Sequence, residues 1–264
     1  MALSHGRVIS VGETEYAHEK EGIDFAIGAL PDRDPFHAWA LLNLLDPTTG
    51  RLHEIDLIVV GYSSVYVVEL KHYGGTMQGD SVDWTWTTPE GRRLYQSNPY
   101  GLTRRKAQIL KSRLDRTKAM RDSGVRTPWI QPLVFLSNKD IKLRLQSSGE
   151  VGVVTQATFA EAITNGKFPG NGHQTQSQRI DKKQQRALVK AFEELGIRPR
   201  KGKLHVGSYE LGGITGETDS YQDRSAVHRE NAKLKKRARI YLVPEQTSVE
   251  RRQQLLRAAN REAQ

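Results

Sequence analysis

The chain has 264 residues, enough for one medium domain and a smaller one, with a sizeable buried core. It contains no cysteine, which excludes disulfides, thiolate zinc sites and a cysteine nucleophile. The 40 basic residues outnumber the 30 acidic ones, and this excess favours polyanionic partners such as nucleic acid. The sequence has no apolar run of about eighteen residues and no secretory signal pattern, so we expect a cytoplasmic protein without a membrane partner.

The N-terminal part predicts one helix followed by a β-rich segment. Residues 13–30 carry apolar side chains at helical spacing, and prolines follow that segment. Strands are predicted at 37–45, 54–60 and 65–71, and the last is apolar on both faces, as in a covered central strand. Two further short strands are expected at 76–79 and 82–88, after a Gly-Gly pair.

The pattern beyond residue 98 alternates helices with short strands. The predicted helices cover 99–123, 158–163 and 181–195, and the predicted strands cover 133–136 and 152–154. A loop rich in Gly, Asn and Gln over 166–178 separates the last two helices.

A change of composition divides the chain into parts. We expect a main domain over 1–197, a basic linker with Pro and Gly over 198–205, and a smaller segment over 206–264. Residues 229–239 are more than half basic, and the chain stops inside a predicted helix at 248–264. An end inside a helix suggests a fragment of a longer protein.

Two consecutive apolar strands carry charged residues where charge is costly. Glu69 and Lys71 share one face of a strand, and Glu54 and Asp56 share a face of the preceding one. Burying an unpaired carboxylate or ammonium is unfavourable, so such a cluster needs mutual pairing, a metal or a substrate. Carboxylate oxygens suit Mg²⁺ or Mn²⁺ far better than zinc. A neighbouring lysine can hold a nucleophilic water or neutralise charge at phosphorus.

A purely structural explanation is also open. In it, Glu69 and Lys71 merely end a strand, with Lys71 in solvent, and an isolated Glu-x-Lys triplet would favour this explanation. The apolar strand, the acid on the preceding strand and the Gly74-Gly75 turn favour a functional site instead, because the glycines would leave backbone room for a bulky polyanion. His72 flanks the proposed site, although a surface histidine with satisfied hydrogen bonds is the commoner case.

The motifs in their order resemble the nuclease-related domain (NERD) family of the PD-(D/E)xK, restriction-endonuclease-like superfamily. The resemblance covers about residues 10–140 and rests on the segments Glu54–Gly61, Val65–Lys71, Gly74–Thr76, Gly79-Asp80 and Asn98-Pro99 with the helix that follows. It implies an α/β fold with a restriction-endonuclease-like mixed central β-sheet flanked by helices. It also implies a metal-dependent nuclease that acts on DNA.

The resemblance assigns roles to individual residues. Asp56 and Glu69 would hold Mg²⁺ or Mn²⁺, the carbonyl of Leu70 would complete the metal's shell, and Lys71 would assist the attacking water. The family also places a glutamate of the first helix in the site, and Glu19 is the candidate.

Two details of this assignment stay open. Glu15 and Glu21 are alternatives to Glu19, since each is close to it on the predicted helix. In many family members a glutamine stands three residues after the Asn-Pro pair, whereas this chain has Leu102, so a substrate contact through that glutamine is missing or moved.

Two sets of cations are candidates for binding DNA. On the predicted long helix, Arg104, Lys111 and Lys118 form one ridge, which ion pairs with acids four residues later explain equally well. Arg92 and Arg93 form the second set, on a loop beyond two tryptophans that we expect to belong to the core. DNA binding through these cations would weaken steeply with salt.

Residues 206–264 resemble the first half of a protein-kinase N-lobe. The resemblance rests on the glycine-rich stretch Leu211–Gly216, the strand-like Ala238–Val243 and a final helix, in which Glu262 would be the helix-C glutamate. Tyr241 stands where the phosphate-binding lysine belongs and no catalytic loop follows, so the segment is not an active kinase. A partly ordered basic tail is the alternative.

Together these observations favour a metal-dependent DNA nuclease. The resemblance to NERD–kinase fusions of phage-defence systems implies that it serves bacterial defence against foreign DNA. The main alternative is a non-catalytic domain that binds DNA or docks partners and regulates an attached kinase. We expect DNA as the main partner, other defence-system proteins as further ones, and a homodimer, as is common for double-strand cutters of this superfamily.

Overall fold

The computed structural model describes residues 2–14, 16–167, 179–195, 197–199, 204–244 and 247–262. Most of the predicted loop over 166–178, half of the predicted linker over 198–205 and Glu15 lie outside the described residues. The chain divides into two compact units. The first comprises Met1–Asn43 and Glu54–Arg200, and the second comprises Leu44–His53 and Lys201–Gln264.

The first unit alternates strands with helices along the chain. Its elements, two of which continue into the hairpin tip assigned to the second unit, are β1 (Val8–Val11), α1 (Ala17–Gly28), β2 (His37–Leu45), β3 (Leu52–Val60), β4 (Val65–Lys71), β5 (Gly75–Gly79), β6 (Asp83–Thr87), β7 (Arg93–Ser97), α2 (Tyr100–Arg116), α3 (Lys118–Ser123), β8 (Ile130–Leu136), β9 (Ile141–Leu145), β10 (Val153–Thr155), α4 (Gln156–Asn165), α5 (Lys182–Glu194) and β11 (Arg198–Pro199).

The main sheet is mixed and has the order β1-β2-β3-β4-β8-β10 in the described part of the chain. β3 is antiparallel to β4, whereas β4 is parallel to β8 and β8 is parallel to β10. Helices α1 and α2 both contact β4, and α4 contacts β8 and β10. This arrangement confirms the predicted α/β class with a mixed central sheet flanked by helices.

Side-chain alternation decides which layer each residue of β3 and β4 faces. Leu57, Val68 and Leu70 belong to one core cluster together with Ile23 and Ala26 of α1. Because successive side chains of a strand point to opposite faces, Asp56 and Glu69 face the other layer. The sheet therefore separates α1 from the two carboxylates.

A second, smaller sheet has the order β7-β6-β5-β9 in the described residues. Trp84 of β6 is fully buried and packs with Met77, which confirms the expectation that this tryptophan belongs to the core. Strands β7 and β9 were not predicted, since their side chains are largely exposed or half-buried and give little apolar pattern. Arg93 consequently begins a strand rather than lying on a loop.

The predicted helix over 99–123 is in fact two helices. Thr117 has an extended backbone between α2 and α3, and its hydroxyl accepts the backbone N–H of Met120 as a helix cap. Lys118 therefore does not continue the ridge of Arg104 and Lys111 on α2.

The glycine pair after β4 serves close packing. Gly75 has φ +88°, and a Cβ there would lie 2.3 Å from the carbonyl oxygen of Thr87. A Cβ at Gly74 would lie 3.2 Å from Nδ2 of Asn138. The expectation that these glycines leave room for a polyanion is wrong, because protein fills the space.

The second unit contains β12 (His205–Val206), β13 (Tyr209–Glu217), β14 (Tyr221–His228), β15 (Asn231–Tyr241) and α6 (Val249–Glu262). The strands form an antiparallel sheet in that order. Asp223 accepts two hydrogen bonds from Arg239, at 2.7 and 2.9 Å. Residues 206–244 are thus a folded sheet and not the partly ordered tail considered as an alternative, while the side chain of Glu262 lies outside the described residues.

No helix in the described ranges is long and apolar enough to cross a membrane.

The contact between α1 and β4 gives a prediction for Gly22. A Cβ at this position would lie 2.6 Å from Cδ1 of Leu70 and 3.0 Å from Cβ of Ser137. We expect Gly22→Ala to lower the free energy of unfolding by about 1–3 kcal/mol through overpacking, although alanine is the better helix former. Urea unfolding followed by circular dichroism measures the change.

Gly28→Ala is the matched control, because it lies on the same helix and nothing approaches its Cβ position within 4 Å. It should be neutral or stabilise by up to about 1 kcal/mol. Equal effects of the two substitutions would contradict the close packing of α1 on β4.

Candidate active site

Asp56 connects β3 and β4 through its side chain. The residue pairing of the two strands runs from Val60–Val65 to Leu57–Val68. At the next position, Oδ2 of Asp56 accepts the backbone N–H of Leu70 at 2.7 Å. No described residue donates a hydrogen bond to the other oxygen, Oδ1. The buried carboxylate thus replaces a backbone acceptor of the sheet and keeps one oxygen available.

Glu69 is buried and lies between two lysines. Its Oε1 accepts a hydrogen bond from Nζ of Lys71 at 2.8 Å, and its Oε2 accepts one from Nζ of Lys106 at 2.6 Å. Lys71 is the last residue of β4, whereas Lys106 belongs to α2. Helix α2 therefore brings a second cation to the Glu69 carboxylate, in addition to the one that β4 supplies.

The two carboxyl groups differ in acidity because their surroundings differ. Burial and the nearby charge of Glu69 raise the pKa of Asp56 to about 7. Burial alone would also raise the pKa of Glu69, but Lys106 and Lys71 outweigh it and hold that pKa below its usual value. Burial would lower the pKa of Lys71, yet Glu69 outweighs this effect and raises it, so Lys71 stays charged.

Lys106 is the site residue that sequence reasoning missed. The buried side of α2 consists of Thr103, Lys106, Ala107, Leu110 and Leu114, which recur at helical spacing. A lysine inside this otherwise uncharged stripe is the signal that could have found it, since an ammonium is rarely buried without a partner.

The donor set fits a hard divalent cation. Mg²⁺ usually takes one or two carboxylates and completes its shell with waters and substrate phosphate oxygens, and Asp56 and Glu69 can supply two such groups. The residues that the structure describes contain no cluster of three His, Asp or Glu side chains that could hold a metal by themselves. Two carboxylates without a histidine or thiolate are donors that Mg²⁺ or Mn²⁺ takes more readily than zinc does, and the binding of either ion stays a prediction. The contribution of the Leu70 carbonyl stays a prediction.

Glu19, the predicted helix glutamate, lies on α1, whereas Asp56, Glu69 and Lys71 lie on β3 and β4. Glu19 is half-buried on α1, where it accepts a hydrogen bond from the hydroxyl of Thr14. Helix α1 packs on the face of the sheet opposite to Asp56 and Glu69. A role of Glu19 in the site stays a prediction.

The predicted DNA-binding cations lie on the surface of the first unit. Arg92, Arg93 and Arg104 are exposed, and Lys111 is half-buried. Lys111 forms an ion pair with Asp115 at 2.9 Å, as its spacing of four residues predicted. The three arginines are consequently the better candidates for phosphate contacts.

His72 and the Asn98-Pro99 pair, which lie near the candidate site in the sequence, make contacts that stabilise the fold. His72 is hydrogen-bonded at both ring nitrogens, to the Ser137 hydroxyl at 3.0 Å and to the side chain of Asn138 at 3.2 Å. Asn98 lies two residues before α2, and its Oδ1 accepts the backbone N–H of Tyr100, the first residue of the helix, at 2.9 Å. Leu102, which stands in place of the family's glutamine, is 51% exposed and points away from the core.

A mixed sheet with an Asp–Glu–Lys group on two adjacent strands is the arrangement expected of a nuclease-related domain. The family model of the nuclease-related domain (NERD) matches residues 15–137, and the predicted resemblance is confirmed over this range. The probable kinase PglW of Streptomyces coelicolor is 29% identical over 262 residues. That match covers 99% of this chain and 16% of the relative, so the chain corresponds to a small part of that protein. No solved structure matches the chain.

Replacing Lys106 should destabilise the domain strongly. Lys106→Met removes one of the two cations that satisfy the buried Glu69, and breaking a buried ion pair typically costs about 3–5 kcal/mol. We expect a loss near the lower end, about 3 kcal/mol, because Lys71 still pairs with Glu69. Chemical denaturation measures it.

Lys111→Met on the same helix is the matched control, since it breaks a more exposed ion pair with Asp115. Its cost should be about 0.5 kcal/mol or less. A similar loss for both variants would show that the Lys106–Glu69 pair is not buried as the structure has it.

The acidity of Asp56 predicts a pH-dependent stability in the absence of metal. Its pKa rises from an ordinary value of 3.8 to about 7 on folding, so the folded state binds the proton more tightly. This contribution to stability is full below pH about 3.8 and is lost as the pH rises through about 7. Asp56→Asn, which keeps an acceptor for the Leu70 N–H, should therefore raise Tm in EDTA clearly more at pH 8 than at pH 5.

The exposed Asp140→Asn serves as the control and should shift Tm equally at both pH values. A Tm difference between wild type and Asp56→Asn that is the same at pH 5 and pH 8 would refute the raised pKa.

Proposed function

We propose that the first unit hydrolyses phosphodiester bonds of DNA with Mg²⁺ or Mn²⁺ held by Asp56 and Glu69. The observation that carries this proposal is the buried Asp56–Glu69 pair with Lys71 at the end of the same strand. The match of residues 15–137 to the nuclease-related domain supports it. Burying two carboxylates and two ammonium groups contributes little to stability, so a catalytic use explains the cluster better than a structural one.

In the reaction, a water oxygen bonds to phosphorus while the bond from phosphorus to the leaving sugar oxygen breaks. The bound divalent cation would lower the pKa of water and neutralise phosphate charge. Asp56 and Glu69 hold and orient that cation. Lys71 keeps its proton, because its pKa is raised, and therefore acts as a cationic hydrogen-bond donor. It donates to the attacking water or to a non-bridging phosphate oxygen on which charge accumulates.

DNA is the proposed substrate because the chain has a formal net charge of +10 and carries exposed cations near the small sheet. Arg92 and Arg93 would contact the phosphate backbone, with Arg104 and Lys111 of α2 as secondary contacts. Such contacts release counterions, so binding would fall steeply with salt concentration. Defence against foreign DNA, a homodimeric state and further defence-system partners belong to this proposal as expectations.

A second candidate is a non-catalytic domain that binds DNA or docks partners and regulates an attached kinase. Two observations favour it: both carboxylate oxygens of Glu69 already accept hydrogen bonds from lysines, and the similar protein of Streptomyces coelicolor is named a probable kinase. In this case the acidic site would be a relic that contributes only to the fold.

Plasmid cleavage separates the two candidates. We expect the wild type to cut DNA in Mn²⁺ or Mg²⁺, and we expect Asp56→Asn and Lys71→Ala each to reduce cleavage by about a hundredfold or more, as losses of charge-stabilising groups do. Gel analysis of supercoiled, nicked and linear forms measures the rate. The exposed Asp140→Asn should cut like the wild type.

A gel-shift assay with the same proteins completes the test. Cleavage that persists in both site variants would point to a contaminating nuclease and remove support for the site. Equal DNA retention by all proteins, with no cutting by any of them, would establish the non-catalytic candidate.

A further inference from the structure

The two lysines that contact Glu69 are not equivalent. The side chain of Lys106 is 7% exposed and lies 2.6 Å from Oε2, whereas that of Lys71 is 29% exposed and lies 2.8 Å from Oε1. The first ammonium is enclosed within the domain, and the second reaches the surface at the end of β4. The difference in burial implies different freedom to move.

Lys106 is held in place by its surroundings. It lies in the buried stripe of α2 between Thr103 and Leu110, and Glu69 is the acid with which it pairs in the described structure. If the Lys106 ammonium left Glu69, it would be buried without a partner, at a large desolvation cost. Lys71 can instead turn toward water, where an ammonium is well solvated.

The buried site already holds two positive charges without a metal. Lys106 and Lys71 both donate hydrogen bonds to Glu69, so a divalent cation would bring further positive charge into a buried layer. The positive charge falls at the lowest energetic cost when Lys71, the more exposed cation, moves into solvent. Oε1 of Glu69 then becomes available on the accessible side, while Lys106 continues to hold Oε2.

We infer that Lys106 is the permanent partner of Glu69 and that Lys71 is the exchangeable one, which leaves Oε1 when a divalent cation binds. Lys106 is thus a positioning residue that fixes the carboxylate, and Lys71 becomes free for the phosphate or the water only in the metal-bound site. The inference rests on the proposed metal-dependent function. It adds that the ion pair of Lys71 with Glu69 keeps the site in a resting state without metal.

Lysine labelling tests this exchange without DNA cleavage. The full chain is reductively dimethylated with and without Mn²⁺, and mass spectrometry quantifies modification of Lys71, Lys106 and the reference Lys111. A parallel measurement of Tm reports Mn²⁺ binding. We expect Mn²⁺ to raise Tm and to increase Lys71 labelling about fivefold, the factor expected when an ion pair worth about 1 kcal/mol is lost. Lys106 should remain unlabelled, and Lys111 unchanged.

Two variants serve as controls. Glu69→Gln should release Lys71 in the absence of Mn²⁺, so that labelling is high and insensitive to the metal. Asp56→Asn keeps the Lys71–Glu69 pair but removes a carboxylate ligand, so Mn²⁺ should no longer change Lys71 labelling. If Glu69→Gln fails to fold, the comparison of wild type with Asp56→Asn still decides the question.

The outcomes are distinguishable from a failure of the proposed function. A rise of Tm in Mn²⁺ with unchanged Lys71 labelling, or with equal labelling of Lys106, overturns the exchange and leaves the metal site intact. No effect of Mn²⁺ on either Tm or labelling overturns the proposed metal site and this inference with it.

Discussion

The carboxylate of Glu69, enclosed between a sheet and a helix and held by two ammonium groups, is the interaction on which the rest of the first unit depends. Its two hydrogen bonds, at 2.8 and 2.6 Å, come from β4 itself and from α2. Because a buried carboxylate is unfavourable without such partners, the pair restricts where α2 can pack along the strand. The position of α2 on the sheet and the geometry of the candidate site therefore depend on the same contact.

Asp56 meets the same problem of a buried carboxylate in a different way. It accepts the Leu70 N–H, and no cation among the described residues lies at hydrogen-bond distance from it, so its pKa rises where that of Glu69 falls. Two acids on adjacent strands thus take opposite protonation behaviour from their surroundings. A divalent cation bound between them would remove this asymmetry, since it requires both groups to be ionised.

The second unit has its own order. Its antiparallel sheet carries the basic strand β15, and the Asp223–Arg239 pair joins two of its strands. The similar protein of Streptomyces coelicolor is far longer than this chain, which covers 16% of it.

Much of the fold and part of the site were predictable from local pattern. The apolar runs of β3 and β4 and the acids within them identify two central strands and the Asp56, Glu69 and Lys71 group, because side-chain alternation follows directly from strand geometry. The break at Thr117 was not predicted, since a single extended residue leaves the helical spacing nearly intact. Strands β7 and β9 escaped prediction because exposed strands lack an apolar signature.

The sequence alone determined which residues carry charge inside apolar strands. Only the tertiary structure decided that Lys106 joins them, that the core side of α1 packs on the other face of the sheet, and that protein fills the space beside Gly75. The physical reason is that pairing of buried charges depends on distances between segments far apart in the chain. Local periodicity reports which side of an element is buried, but not which group it will meet there.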